Sequence, residues 1–386
     1  MSLFDAPPKP DTPLGWHRVL SPTAAVKVSP ICLGGISIGN AWNELFGRRE
    51  DHFAILDSFF ALGGNFIDTA NQYNYEESEK LIGEWMETRG TRDQMVIATK
   101  YSAPYRAYNR AAEPIQSNFA GNSAKSMHIS IRDSLKKLRT TYIDILFVHW
   151  WELAASVEEV MTHLHAYVMA RQVLYLGVSD TPAYVVAKAN AFARQNGLTP
   201  FSVYQGRWCA SRRDVESEII PMCEDQGMAF MSWGSLGGGL LATAAEREKI
   251  ESDPDAPKAP YGFEKRDAAV CDILEQLATA KNTSLQAIAL AYLFHQSTYV
   301  FPIVGVQTVE HVKALPDALR VSLSTDEIDA IQNAAYFDPL FPNNYYFPYE
   351  NGRGYSLRLT VADQKNYRSG AWIDAPPKQP HYASRH

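Results

Sequence analysis

The chain has 386 residues, of which 46% are hydrophobic and 20% charged, a globular composition with room for one large domain or two ordinary ones. A net charge of −7 and a pI near 5.8 leave no basic excess to neutralise phosphates, which excludes a nucleic-acid binder. No apolar run approaches the roughly 20 residues of a membrane span, and the start "MSLFDAPPKPDTPLG" lacks the basic and apolar regions of a signal peptide; with four scattered cysteines that suit a reducing compartment, a soluble, cytoplasmic protein is expected.

Behind the proline-rich N-terminal extension, short β-branched or aromatic runs alternate with stretches of helical period. The strand runs are "VSPICLGG" (28–35), "NFIDTA" (65–70), "MVIATK" (95–100), "IDILFVHW" (143–150), "VLYLGVSD" (173–180), "SVYQGRW" (202–208), "MAFMSWGS" (228–235) and "YVFPIVGV" (299–306). Most are apolar throughout rather than alternating, as strands covered on both faces are. Between them, "SAKSMHISIRDSLKKL" opens on a serine cap and "SVEEVMTHLHAYVMA" on a Ser-x-x-Glu capping box. "TPAYVVAKANAFARQNG" is closed by Gly197, and "SLQAIALAYLFHQS" and "STDEIDAIQNA" are further helices.

Eight β–α units in succession predict an α/β fold, a (β/α)8 TIM barrel over residues 1–335. From pattern alone, a doubly wound open sheet remains the alternative. Residues 336–386 are expected to form a long aromatic-rich C-terminal tail, packed over the barrel mouth or at a subunit contact, so a homo-oligomer stays open. Its "FDPLFPNNYYFPYENGRGY" reads as a loop.

In such a barrel the site lies at the C-terminal ends of the strands. The runs end in Gly34-Gly35, Asp68, Lys100, His149, Ser179-Asp180, Gln205, Trp233-Gly234-Ser235 and Gly305. Taken singly, Asp68 reads as a cap, Lys100 as a surface lysine, and His149 and Trp233 as core. Taken together, Asp68, Tyr73, Lys100 and His149 converge as a catalytic set. A free tyrosine has a pKa of about 10, and a neighbouring lysine favours its phenolate and is expected to lower that value. Asp68 would hold the lysine charged, His149 would orient the reacting oxygen, and Tyr73 would be the general acid. Trp42 and Trp150 are candidate walls of an aromatic substrate pocket. No spacing of ligands suggests a metal site.

The motifs "NFIDTANQYN", "IATK", "DILFVHW" and "GVSD" resemble the aldo-keto reductase superfamily, from about residue 15 to about residue 333. "KSMHISIRDSLKKLRTTYIDILFVHWW", "KANAFARQNG" and "YVFPIVG" are similar to its fungal aryl-alcohol dehydrogenase branch. The resemblance implies reversible, NADP(H)-dependent reduction of aromatic aldehydes to alcohols by an Asp-Tyr-Lys-His tetrad on a barrel. It implies Trp233 stacked on the nicotinamide, and Ser179, Asp180 and Gln205 around its carboxamide. The backbone of Ser235, Leu236 and Gly237 would meet the pyrophosphate, with Gly35 and Gly305 also lining the cofactor. Asp180 departs from the asparagine or arginine common elsewhere in the superfamily. After Gly305, "VGVQTVEHVKAL" places Gln307 and Thr308 where the branch usually shows basic residues, so, with Gln307 still counted among the cofactor contacts, His311, Lys313, Arg247 or Lys249 would have to compensate at an NADP 2′-phosphate.

Two other readings are carried forward. One is a reductase of an aromatic polyketide in secondary metabolism; the other is a cofactor-binding regulatory subunit like the potassium-channel β subunits, against which His149 argues. The Tyr-x-x-x-Lys spacing of Tyr184 and Lys188 is read as plain helix, since "LGGISIGN" is no dinucleotide fingerprint.

Overall fold

The structure, a computed structural model, describes residues 5–252, 263–350 and 353–376. An antiparallel hairpin, β1 (Arg18–Ser21) and β2 (Ala24–Val28), precedes eight parallel strands. These are β3 (Cys32–Gly34), β4 (Phe66–Asp68), β5 (Val96–Tyr101), β6 (Ile143–Val148), β7 (Val173–Ser179), β8 (Val203–Arg207), β9 (Ala229–Trp233) and β10 (Val300–Val304). Each lies within, or within one residue of, a run expected to be a strand. β10 pairs with β3 and closes the ring, which rules out the open sheet. The fold is a (β/α)8 barrel.

Strand parity sets what faces the barrel axis, because successive side chains alternate between faces. Phe66, Val96, Ala98, Ile145, Phe147, Val203, Ala229, Met231, Phe301 and Ile303 form one interior cluster. The in-between residues, among them Ile67, Ile97, Leu146, Leu176 and Phe230, pack outward in a second cluster shared with the helices. Stepping on by two from the interior residues reaches Asp68, Lys100, His149, Gln205, Trp233 and Gly305. Alternation therefore delivers all six to the C-terminal mouth.

The hairpin is an element the sequence reading passed over, although Pro22 between two short runs was its signal. It closes the opposite end. Leu20, Ala24 and Val28 join the interior cluster, and Asn65, just before β4, bonds to Lys27 and Ser29.

The helices start where their caps predicted. Ser123, Ser284 and Ser324 accept from backbone amides at the third helical position, and Ser324 with Glu327 completes a capping box. At Ser156 only half the expected box forms, because the Glu159 carboxylate turns away to accept from the Ala124 amide. Tyr184 is an exposed residue on the helix Ala183–Gln195. Among the described residues no helix is long and apolar enough to cross a membrane.

The tail run read as a loop carries one helical turn, Asn343–Tyr346. Tail contacts run to residues 213–217 and 329–332. Arg213 donates to the Tyr355 carbonyl, the Tyr355 hydroxyl to the Glu216 carbonyl, and Asn343 to the Ser217 carbonyl. Arg358 pairs with Asp329, and Leu357 is buried in the outer core. The proline-rich end, 377–386, lies outside the described residues.

Candidate active site

β4 ends on Asp68, which lies level with Ala98 of β5. Lys100 is two residues further along β5 on the same face, so its side chain rises into the mouth. Its Nζ donates to Asp68 Oδ2 at 2.7 Å, to the Thr69 carbonyl at 2.8 Å and to Tyr73 Oη at 3.2 Å. All three donors of the ammonium are thereby used, and the lysine is fully buried. The second Asp68 oxygen accepts from Gln205 Nε2 at 2.8 Å.

Burial by itself would drag Lys100 down; Asp68 and Tyr73 outweigh it and hold the ammonium above its usual range. Burial pushes Asp68 up, opposed by Lys100 and Gln205. Tyr73 corrects the expectation drawn from charge alone. Lys100 does pull its phenol down, but burial pushes harder, and the net shift is upward. The resting tyrosine is therefore a protonated phenol, the form that can give a proton. Burial and Lys100 together force His149 well below its usual range, so its imidazole is neutral.

His149 is anchored by its backbone amide, which donates to the Tyr101 carbonyl at 2.9 Å. Its ring centroid lies 6.1 Å from that of Tyr73 and 4.9 Å from that of Trp150, and its Nδ1 is buried without a hydrogen-bond partner. Trp42 meets Tyr73 edge-on at 6.2 Å. The structure thus brings Trp42, Tyr73, His149 and Trp150 to one place. Tyr101 and Tyr105 are buried in packing, the latter with its hydroxyl on Asp133.

Of the residues expected around a cofactor, Trp233 and Asp180 are joined directly, Trp233 Nε1 donating to Asp180 Oδ1 at 3.0 Å. Burial pushes the Asp180 carboxyl up to about 6 against that hydrogen bond. Its backbone is left-handed (φ 41°), and its amide donates to the Gln205 carbonyl. Ser179 lies level with Gln205, its hydroxyl buried and without a protein partner. Ser235 turns its hydroxyl back to the Ser232 carbonyl. Of the three amides expected at the pyrophosphate, that of Gly237 already donates to the Gly234 carbonyl. Gly234, Gly237, Gly238 and Gly239 all have positive φ, a backbone that can approach a ligand closely. Gly34 and Gly305 pack backbone to backbone, and a Cβ on Gly35 would sit 2.5 Å from the Asp68 carbonyl oxygen. An orphaned hydroxyl, an indole platform and a glycine cradle fit a nicotinamide dinucleotide.

Gln307 and His311 form a separate pair, the Gln307 amide donating to His311 Nδ1, while Gln307 Nε2 donates to the Phe46 carbonyl. Lys313 and Arg247, considered as compensating cations, are engaged with Glu310 and Asp272.

The sequence reading missed the second layer. Asn74 accepts from the Trp42 amide and donates to the Ile36 carbonyl, fixing the pocket wall. Lys137, Glu76 and Glu79 form a buried ionic cluster beneath the tyrosine. The available signal was Glu79, a carboxylate three residues before Ile82 and seven before Met86, on the apolar stripe of its helix.

The aldo/keto reductase family model matches residues 30–335. The chain belongs to the aldo/keto reductase family. Norsolorinic acid reductase A of Aspergillus parasiticus is 46% identical over 376 residues, covering 96% of this chain and 94% of that protein. Norsolorinic acid reductase B of Dothistroma septosporum is 48% identical over 336 residues, 85% of this chain and 84% of its own. An aryl-alcohol dehydrogenase [NADP(+)] of Phanerodontia chrysosporium is 45% identical over 368 residues, 92% and 94% of the two chains. This aldo-keto reductase is accordingly an oxidoreductase, with relatives in the aryl-alcohol dehydrogenase group named from its motifs and also among the norsolorinic acid reductases.

Proposed function

We propose that this aldo-keto reductase catalyses the reversible, NADP(H)-dependent reduction of aromatic (benzylic) aldehydes to alcohols. The observation that carries the reading is Lys100 Nζ shared between Asp68 and Tyr73 Oη inside the aromatic mouth. Trp233, Ser179, Asp180, Gln205 and the 235–237 turn would hold the cofactor, which when bound supplies the hydride. Tyr73 Oη, protonated at rest, gives its proton to the carbonyl oxygen as charge develops there. Lys100 stabilises the phenolate left behind, and Asp68 keeps the lysine charged and fixed. Neutral His149 donates its one N–H toward the same oxygen, holding the carbonyl in line. Trp42 and Trp150 provide apolar faces for the substrate ring and exclude water. NADP rather than NAD is favoured by the name of the Phanerodontia relative.

A second reading keeps the chemistry and enlarges the substrate to an aromatic polyketide. It is favoured by the rings that continue outward from Trp42, with Tyr75 at 5.9 Å and Tyr108 at 5.3 Å beyond it. The Aspergillus and Dothistroma relatives carry names of that kind.

The test is NADPH consumption with a methoxylated benzaldehyde, run beside NADH and a Tyr73→Phe variant. Turnover that needs NADPH and disappears in the variant, while cofactor still binds, supports the proposal. Full turnover by Tyr73→Phe would refute the role of the tyrosine, and turnover only on a multi-ring ketone would favour the second reading.

A further inference from the structure

Tyr73 reaches Lys100 from a turn with an unusual backbone. The three residues that follow it, Asn74, Tyr75 and Glu76, all have positive φ, at 51°, 51° and 75°. None is glycine, so the run is strained and persists only where its surroundings hold it.

What holds it is a second buried lysine. Lys137, the last residue of the helix Ala124–Lys137, donates from Nζ to the Asn71 carbonyl at 3.1 Å. The same Nζ lies 2.9 Å from Glu76 Oε2 and 2.7 Å from Glu79 Oε2. One ammonium therefore grips the chain two residues before Tyr73, three after it and six after it. The grip extends to the strand that carries Lys100. Thr99 Oγ1 donates to Glu79 Oε1 at 2.6 Å, and the Asn71 amide donates to the Lys100 carbonyl at 3.1 Å. Glu76 Oε1 also accepts from the Tyr108 hydroxyl at 2.7 Å, while Glu79 Oε2 is held by its ion pair with Lys137 alone. A buried ion cluster is weak support for stability, since apolar residues of similar volume commonly do as well. Its geometric effect is specific, because it fixes the turn relative to Lys100.

We propose that Lys137, acting through Glu76 and Glu79, is a positioning residue that sets the Tyr73–Lys100 distance. The proposal rests on Tyr73 being the proton donor. A tyrosine displaced from Lys100 loses stabilisation of its phenolate, and its pKa moves further up.

The experiment uses full-length Lys137→Met and Thr99→Val, with Tyr73→Phe as control, in aldehyde reduction across pH. Rates are normalised to cofactor-binding sites counted by fluorescence titration. Lys137→Met is expected to lower kcat by about tenfold or more, to leave cofactor affinity unchanged and to move the alkaline limb of the profile to higher pH. Thr99→Val, which keeps the lysine charge, shifts both readouts the same way by less. Wild-type kcat and pH limb in variants that are merely less heat-stable would overturn the proposal. If Lys137→Met does not fold, Thr99→Val decides by the same criteria. Turnover by Tyr73→Phe would instead sink the assignment of the proton donor, which separates the two failures.

Discussion

Gln205 and Asp68, 137 positions apart in the chain, are hydrogen-bonded at 2.8 Å in the barrel mouth. The amide nitrogen of a residue expected to hold the cofactor carboxamide is thus committed to Asp68 of the proposed tetrad, so Gln205 would link both halves of the proposed site. Its bond favours the charged form of Asp68 against burial. Replacing Gln205 with Leu removes that support, so the Asp68 pKa rises further. Lys100 then loses its counter-charge at a higher pH as acid is added. The acid limb of the pH–rate profile is expected to move to higher pH, and an unmoved limb would show that Lys100 alone keeps the carboxylate ionised.

Asp68→Asn should be costly for the fold itself. Lys100 is fully buried, and the substitution strands its charge, at about 3–5 kcal/mol for breaking one side of a buried pair. Urea unfolding measures this directly. A loss below about 1 kcal/mol would mean that the lysine discharges or finds another partner.

Eight strands were legible in the sequence because buried parallel strands read as unbroken apolar runs, and a polar group at the end of such a run stands out. That Asp68, Lys100 and His149 would meet at one mouth was legible for the same reason. Three other features were not. Lys137, Glu76 and Glu79 occupy helix ends and a turn, where charged residues are ordinary, and only the fold shows that they are buried together. The direction of the Tyr73 shift was equally hidden, since a neighbouring lysine can be inferred from spacing but the depth of burial cannot. The tail's anchorage depends on contacts such as Arg213 to Tyr355, 142 positions apart, with no local pattern to announce it.

His149 ties stability to pH. Its folded pKa lies well below 6.5, so below that value the unfolded chain binds the extra proton more readily. Stability from this residue is complete above pH 6.5 and is lost as pH falls, by at most about 1.4 kcal/mol per unit. The difference in unfolding free energy between wild type and His149→Asn should therefore shrink as the solution is acidified. A difference that stays constant would mean that the imidazole finds a counter-charge.

Gly35→Ala should damage the site without touching a reactive atom. The added Cβ would lie 2.5 Å from the Asp68 carbonyl oxygen and 3.2 Å from Thr69 Cβ. Backbone and a buried threonine cannot yield as a flexible side chain would, so the end of β4 must shift. About 1–3 kcal/mol of stability is expected to go, together with most turnover. Thermal melting and a rate assay check both, and an alanine variant with normal values would show that the β3–β4 seam is softer than its packing suggests.

The packed interior of the barrel, with the small hairpin beneath it, determines how traffic must run. Leu20, Ala24 and Val28 cover the far end of an interior already filled by side chains such as Phe66, Ile145, Phe147, Val203 and Phe301, so a ligand held at the mouth enters and leaves on the same side. Whatever settles deepest goes in first and comes out last, and the water displaced on filling leaves past the same rim of Trp42, His149 and Trp150. Changes to that rim therefore act on entry and exit alike, and altered affinity there will come with an altered release rate.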